Sequence, residues 1–240
     1  MDAGTRMLVQ MAGARRFNRW MADTIAPFVG GIVLEAGAGI GNLTEFLFRP
    51  GTPYVALELE EDHLQLIRER FGQQTGLTIA KCDLLEPLDL RPYRNAMDAI
   101  VCLNVLEHIY DDMSVLHNLR SCLSHNGRAI FLVPQGPAAY GSLDHVLEHC
   151  RRYSEYEFEG KLQCAGFRVQ QMIPFNRATY PGWILNSRIL KRKTLSSTQL
   201  RLFDATVPLW RGLDHLLPWP PTSLIAVCEA QDQRETTRAR

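Results

Sequence analysis

Residues 33–46 read VLEAGAGIGNLTEF, and how this stretch is taken decides the fold. An apolar run leads into Gly37-Ala38-Gly39-Ile40-Gly41, and an amphipathic segment follows, as expected for a buried strand, a glycine turn and a helix start. Such a turn brings bare backbone close to a ligand, because no Cβ intervenes. In open α/β sheets, ligands bind at that carboxyl edge. A dinucleotide fingerprint, GxGxxG, would place its last glycine at position 42, where Asn42 stands. Glu35, two residues before Gly37, would repel a pyrophosphate and favour a cation.

Outward from this turn, four short runs alternate with helix-like segments: IVLE at 32–35, YVALE at 54–58, LTIAK at 77–81 and MDAIVCLN at 97–104, with AIFLVP following at 129–134. Near-continuous apolar runs separated by single helices predict a parallel sheet covered on both faces, a Rossmann-like, doubly wound α/β fold. Leu64, Ile67 and Phe71 mark one intervening helix, closed by Gly72. Val115, Leu116, Leu119 and Leu123 mark another, expected to end near Asn126-Gly127. Ser154 with Glu157 forms a capping box for a third, ending at Gly166. FRVQQMI at 167–173 and TSLIAVCEA at 222–230 complete a set of seven strands. The roughly fifty residues between these last two exceed a hairpin loop and predict a helical cap over 174–221.

Acidic residues end three successive strands. Glu58, 21 residues beyond Gly37, suits the two hydroxyls of a ribose. Asp83, just past the third run, suits an adenine amino group, with the Leu84 backbone beside it. With Glu35 they specify a nucleoside site that welcomes positive charge.

At this point the chain resembles the class I S-adenosylmethionine-dependent methyltransferases, in their small-molecule branch. VLEAGAGIGNLT is similar to their first motif, Glu58 matches their ribose-binding acid, CDLL at 82–85 their adenine segment, and MDAIVCLNVLEHI at 97–109 their fourth motif. The resemblance implies a seven-stranded sheet whose last pair is an antiparallel hairpin. It also implies S-adenosyl-L-methionine as cofactor. Glu35, Gly37, Ala38, Gly39 and Asn42 would surround its methionine portion, Glu58 and Leu59 the ribose, Asp83 and Leu84 the adenine, and Leu103, Asn104 and His108 the sulfonium end.

Methyl transfer draws mainly on alignment of donor and acceptor, and needs a base only when the acceptor must lose a proton. Candidates lie in YGSLDHVLEHCRRYS at 140–154: His149 as a base, with Tyr140, Arg152 and Tyr153 to position or neutralise an acceptor. His145 and His149, four apart, would share a helix face. Glu107 and His108 would suit a divalent metal, but Asn104 replaces a further acid found in some relatives, so no metal is expected. An N-terminal helix bearing Phe17, Trp20, Met21, Ile25 and Phe28 would form a lid within 1–30, with Arg16 or Phe17 reaching inward.

The chain has 240 residues, room for one domain, here expected to span 1–230 with 231–240 as a disordered tail. Twenty-six basic residues balance 26 acidic ones, so no global field draws the protein to nucleic acid. A basic stripe with interleaved aromatics and an NPPY-like tetrad are both lacking, LNVL standing at 103–106. Six cysteines without a CxxC pair suggest buried, reduced thiols in a cytoplasmic protein. No transmembrane segment is expected, although Arg188, Lys191, Arg192 and Lys193 beside Trp183, Ile184 and Leu185 leave peripheral membrane contact open. The expected activity is methyl transfer to a small-molecule or lipid- or glycan-linked acceptor, by a monomer or homodimer. The rivals are a nicotinamide-dependent oxidoreductase, disfavoured by Asn42 and Glu35, and a non-catalytic nucleoside-binding module.

Overall fold

The computed structural model describes residues 3–194 and 196–231. Its centre is one sheet in the order β3-β2-β1-β4-β5-β7-β6, built from β1 Val33–Ala36, β2 Tyr54–Glu58, β3 Leu77–Lys81, β4 Met97–Leu103, β5 Leu123–Pro134, β6 Phe167–Phe175 and β7 Ser223–Ala230. β1 to β5 pair in parallel, with Val33 opposite Tyr54 and Ala99. β7 runs antiparallel between β5 and β6. The helices are α1 Ala3–Ala12, α2 Arg15–Ile25, α3 Thr44–Leu47, α4 Glu61–Phe71, α5 Asp112–Cys122, α6 Ser142–Val146, α7 Glu155–Cys164, α8 Tyr180–Trp183 and α9 Ser197–Leu213. This is the seven-stranded class I methyltransferase fold.

The apolar runs form strands because both faces of the sheet are covered. On one face Val115, Leu116 and Leu119 of α5 and Phe158 and Leu162 of α7 join Leu34, Ile100 and Phe131. On the other, Phe17, Trp20 and Ile25 of α2 and Val207 of α9 join Val33, Val101 and Ile130. Alternate residues of one strand therefore serve opposite cores.

Two helix starts are capped by side chains, that of α7 as its sequence signal predicts. The Asp111 side chain accepts from the Ser114 N–H at 3.1 Å, and Ser154 Oγ from the Glu157 N–H at 3.2 Å. The end expected near Gly127 falls earlier. α5 stops at Cys122 and β5 begins at Leu123, which pairs with Met97. A Cβ at Gly127 would lie 2.7 Å from both the Met97 carbonyl oxygen and Leu123 Cδ1, so this glycine permits close passage at the start of a strand.

The insert between β6 and β7 is helical. α8 runs into a wider π-type turn over Ile184–Ile189, and α9 contains Pro208. α9 packs on α2 through Phe203, whose ring lies 5.6 Å from that of Phe17, and through Asp204 Oδ1, which accepts from the Phe17 N–H at 2.9 Å. Phe17 thus lies in an aromatic cluster with Trp20 and Phe175 and does not reach inward as expected. The tail expected at 231–240 lies, beyond Gln231, outside the described residues. Four cysteines are buried as expected, whereas Cys150 and Cys164 are exposed. No helix among the described residues is long and apolar enough to cross a membrane.

Candidate functional site

The glycine turn sits at the carboxyl end of β1. Gly37, Gly39 and Gly41 have φ of 74°, 57° and 81°, conformations that L side chains resist. The Gly37 and Ala38 N–H groups both donate to the Leu57 carbonyl at 2.9 Å, lashing the turn to the end of β2. A Cβ on Gly37 would strike the Val105 side chain, and one on Gly41 would lie 2.6 Å from the Phe71 ring. These two glycines serve packing behind the loop. Gly39 instead faces α1, where the Leu8 methyl groups would stand 3.5 Å from its Cβ.

Glu58 closes the cradle. Its Oε2 accepts from the Gly39 N–H at 2.7 Å, and its Oε1 from the Leu59 and Glu60 N–H groups at 2.9 and 3.0 Å. Burial alone would raise its pKa, but hydrogen bonds from His63, Glu60 and Gly39 outweigh that and hold it below the ordinary value. A fixed carboxylate therefore stands beside bare backbone. Glu35 lies deeper: its Oε2 accepts from Thr44 Oγ1 at 2.6 Å and Tyr54 Oη at 2.9 Å. Burial raises its pKa to about 7 against the pull of those two hydroxyls. Its first task is to anchor the turn to α3 and β2.

Asn42 ties down the covering element, since its Nδ2 donates to the Leu8 carbonyl at 3.0 Å. Thr5 Oγ1 lies 3.0 Å from His63 Nε2, the ring that flanks Glu58. α1, and not the Phe17 side of α2, lies over the cradle. Asp83 Oδ1 accepts from the Leu85 N–H at 2.9 Å, so it shapes the turn after β3, with Leu84 buried beside it. At the end of β4, Asn104 is exposed with φ of 55°, and its N–H donates to the Leu132 carbonyl at 2.9 Å. Leu59 is exposed, Leu103 is partly buried, and His108 lies on the one-turn helix Leu106–His108 beyond them.

The acceptor-side candidates separate sharply. His149 Nδ1 lies 3.0 Å from Asp144 Oδ1, and the His149 and His108 rings meet edge to face at 4.7 Å. Arg152 Nε donates to the same Asp144 oxygen at 2.7 Å and its Nη1 to the Gln135 carbonyl at 3.0 Å, beneath the Trp183 ring at 4.3 Å. Arg152 therefore organises Asp144 and the loop after β5. Tyr140 Oη donates to the His149 carbonyl at 2.6 Å. Tyr153, expected to position an acceptor, is instead 0 % exposed, with its hydroxyl donating to Asp112 Oδ2 at 2.8 Å, and burial drives its pKa far upward. It supports the sheet edge out of an acceptor's reach. His145 and His149 do not share a helix face either, because α6 ends at Val146 and Glu148 turns the chain back with φ of 58°.

That turn explains why Asp144 escaped the sequence reading. Five residues is no helical spacing, and only the left-handed Glu148 returns His149 to Asp144. Leu8 and Thr5 were missed because one leucine in a short amphipathic segment carries no mark of what it covers. Glu107 is 1 % exposed, neither of its carboxylate oxygens has a hydrogen-bond partner, and burial raises its pKa to about 7. Its carboxylate lies with His108 and His149 in a group whose potential ligand atoms are within 4.8 Å of one another.

Comparison with known proteins adds a lineage. Residues 34–129 match the family described as "Methyltransferase domain". The chain is similar to the ubiquinone biosynthesis O-methyltransferase of Photorhabdus laumondii, at 28% identity over 48% of this chain and 50% of that one. It is also similar to ribosomal RNA small subunit methyltransferase A of an Anaeromyxobacter species, at 30% identity over 47% and 42%. The chain spans about half the length of the curated relatives it matches. Among solved structures, a SAM-dependent methyltransferase from Archaeoglobus fulgidus superposes with a TM-score of 0.61, at 16% identity over 90% of this chain and 94% of that one. A geranyl diphosphate methyltransferase in complex with SAM gives 0.63, at 12% identity over 88% and 85%.

Proposed function

We propose that the chain, of which residues 34–129 match a methyltransferase domain, transfers a methyl group from S-adenosylmethionine to a hydroxyl-bearing acceptor, a small molecule or one linked to a lipid or glycan. The observation that carries this reading is the fixed Glu58 carboxylate against the bare Gly39 backbone. The residues fit the cofactor. Gly39 leaves the room a Cβ would fill, Glu58 is an acceptor for ribose hydroxyls, and the acids along the sheet edge favour a positive ligand. Asp83 and Leu84 would flank the adenine, and the backbone at Leu103 and Asn104 the sulfonium end. When bound, the cofactor supplies a methyl group on positively charged sulfur.

The chain's own part is to align and deprotonate. Asp144, kept charged by His149, Arg152 and the Gly141 N–H against the opposing effect of burial, takes the Nδ1–H of His149. The other ring nitrogen is then free to remove an acceptor hydroxyl proton. Arg152 and Tyr140 hold this pair from either side. A nicotinamide dinucleotide would meet Asn42 in place of the last fingerprint glycine, and Glu35 two residues before Gly37, where a pyrophosphate is disfavoured.

The test is calorimetry with S-adenosylhomocysteine, then transfer of labelled methyl to hydroxyl-bearing acceptors. Binding together with transfer supports the reading; a preference for a nicotinamide dinucleotide overturns it, and nucleoside binding without transfer to any acceptor leaves a binding module. His149→Ala should lower kcat by roughly 10²–10⁴-fold while the nucleoside affinity stays unchanged.

A further inference from the structure

The insert between β6 and β7 has two apolar faces. One is buried, with Val207, Phe203 and Leu200 packed into the core beside α2. The other is open: Leu202, Leu209 and Leu213 on α9, and Leu216 just beyond it, are 68%, 58%, 38% and 67% exposed. At 100° per residue the three on α9 fall within about a 40° arc, opposite the buried side, and Leu216 follows on the 3-10 turn Asp214–Leu216. Solvated helix faces are ordinarily polar, so a straight stripe of leucines turned outward needs an occupant.

Charge indicates which. Residues 176–221 contain seven basic residues and two acidic ones, although the whole chain is neutral. Both acids are buried and committed, Asp204 to the Phe17 N–H and Asp214 to the Ala178 N–H. The outward charge of the insert is therefore wholly positive. Lys191, Lys193 and Arg201 are exposed and make no ion pair with any described residue. The basic turn also carries Ile189 and Leu190, both exposed, and Arg192 Nη1 lies 3.3 Å from Gln199 Oε1 in the first turn of α9. That contact joins the basic turn to the leucine stripe as one surface.

We infer that this surface docks on an anionic lipid bilayer, with the α9 stripe entering the headgroup boundary and the lysines meeting lipid phosphate. The apolar side chains are aliphatic and the cations flank them, the arrangement of a helix lying in a membrane interface. The docked face adjoins the acceptor side. Arg188 Nη1 donates to the Ala138 and Tyr140 carbonyls at 2.9 Å, and Ser142 Oγ to the Ser187 and Arg192 carbonyls at 2.9 and 2.7 Å. The basic turn is thus bolted to the loop that leads to Asp144 and His149. Docking would present the acceptor site to molecules held in the bilayer.

Vesicle flotation of the full chain tests this without any cofactor, so its outcome is separate from that of the methyl-transfer reading. Binding is expected to vesicles of mixed phosphatidylglycerol and phosphatidylcholine, to weaken with added salt, and to be slight on phosphatidylcholine alone. Removing both Lys191 and Lys193 as alanines should lower the partition coefficient roughly thirtyfold, at about 1 kcal/mol per charge. Leu202→Ser with Leu209→Ser should lower it at least about tenfold, while the thermal transition and S-adenosylhomocysteine affinity stay at the values of the parent chain. Equal binding to neutral and anionic vesicles, or none to either, overturns the inference. So does a dimer in solution that the two serines dissociate, because a second copy would then be the occupant.

Discussion

Glu58 has several tasks in one side chain. Three backbone N–H groups converge on it, so it holds the loop as well as the proposed ribose. Glu58→Ala should weaken S-adenosylhomocysteine binding by roughly 10- to 100-fold, the worth of about 1.5–3 kcal/mol for hydrogen bonds to a charged group, as read by calorimetry. An unchanged affinity would refute the ribose assignment. Glu35 answers to a different measurement. Its carboxyl moves from an ordinary 4.5 to about 7 on burial, so between those pH values the folded chain keeps a proton that the unfolded chain has released. The stability tied to that proton is present below pH 4.5 and is lost as pH rises through 7, about 3 kcal/mol in full. Glu107 contributes in the same direction, so the wild type alone does not isolate the effect. Glu35→Gln, which keeps an oxygen for Thr44 and Tyr54, should become progressively more stable relative to wild type from pH 5 to pH 8 in urea titrations.

Among the elements, legibility followed periodicity. β2 falls on the residues expected because its run is buried between β1 and β3, and β3, though a half-exposed edge strand, does so because no competing helical period exists. The extra length of β5 before Ala129 was hidden because Ser124, His125 and Asn126 are polar, and strand pairing there depends on the close approach at Gly127. The cofactor half of the candidate site was readable because short motifs at fixed strand ends encode it. The acceptor half was less so, since Asp144, Arg152 and Trp183 meet only in three dimensions. α1 was illegible for a related reason: its hold on the cradle runs through the Leu8 carbonyl and side chain and Thr5, with Met11 packed behind. It should therefore show the fastest amide hydrogen exchange among the helices and slow markedly when S-adenosylhomocysteine binds beneath it. No protection would show that the nucleoside site lies elsewhere. Tyr153 joins a quieter cluster, in which Asp112 also receives Lys161 and Arg151, each at 2.8 Å. Because both cations remain, Tyr153→Phe should cost about 1 kcal/mol in chemical denaturation without altering turnover; a loss of kcat would return its hydroxyl to the chemistry.

Across the whole molecule, the sheet couples two cores that are otherwise apart. Ile130 and Phe131 are neighbours on β5, yet the first packs toward α2 and α9 and the second toward α5 and α7. Ile130→Ala should cost roughly 2–5 kcal/mol and Phe131→Ala roughly 3–5 kcal/mol. Both should shift one cooperative calorimetric transition, and two separated transitions in either variant would show that the faces melt independently. The strand order also bears on biosynthesis. Of the seven strands of this sheet β7 is the last in the chain, and it fills the gap between β5 and β6. Until it leaves the ribosome, β5 has one open edge and β6 has no partner in the sheet. The nascent chain must therefore wait with apolar edges exposed, open to chaperones and to mispairing, until residues 223–230 arrive to finish it.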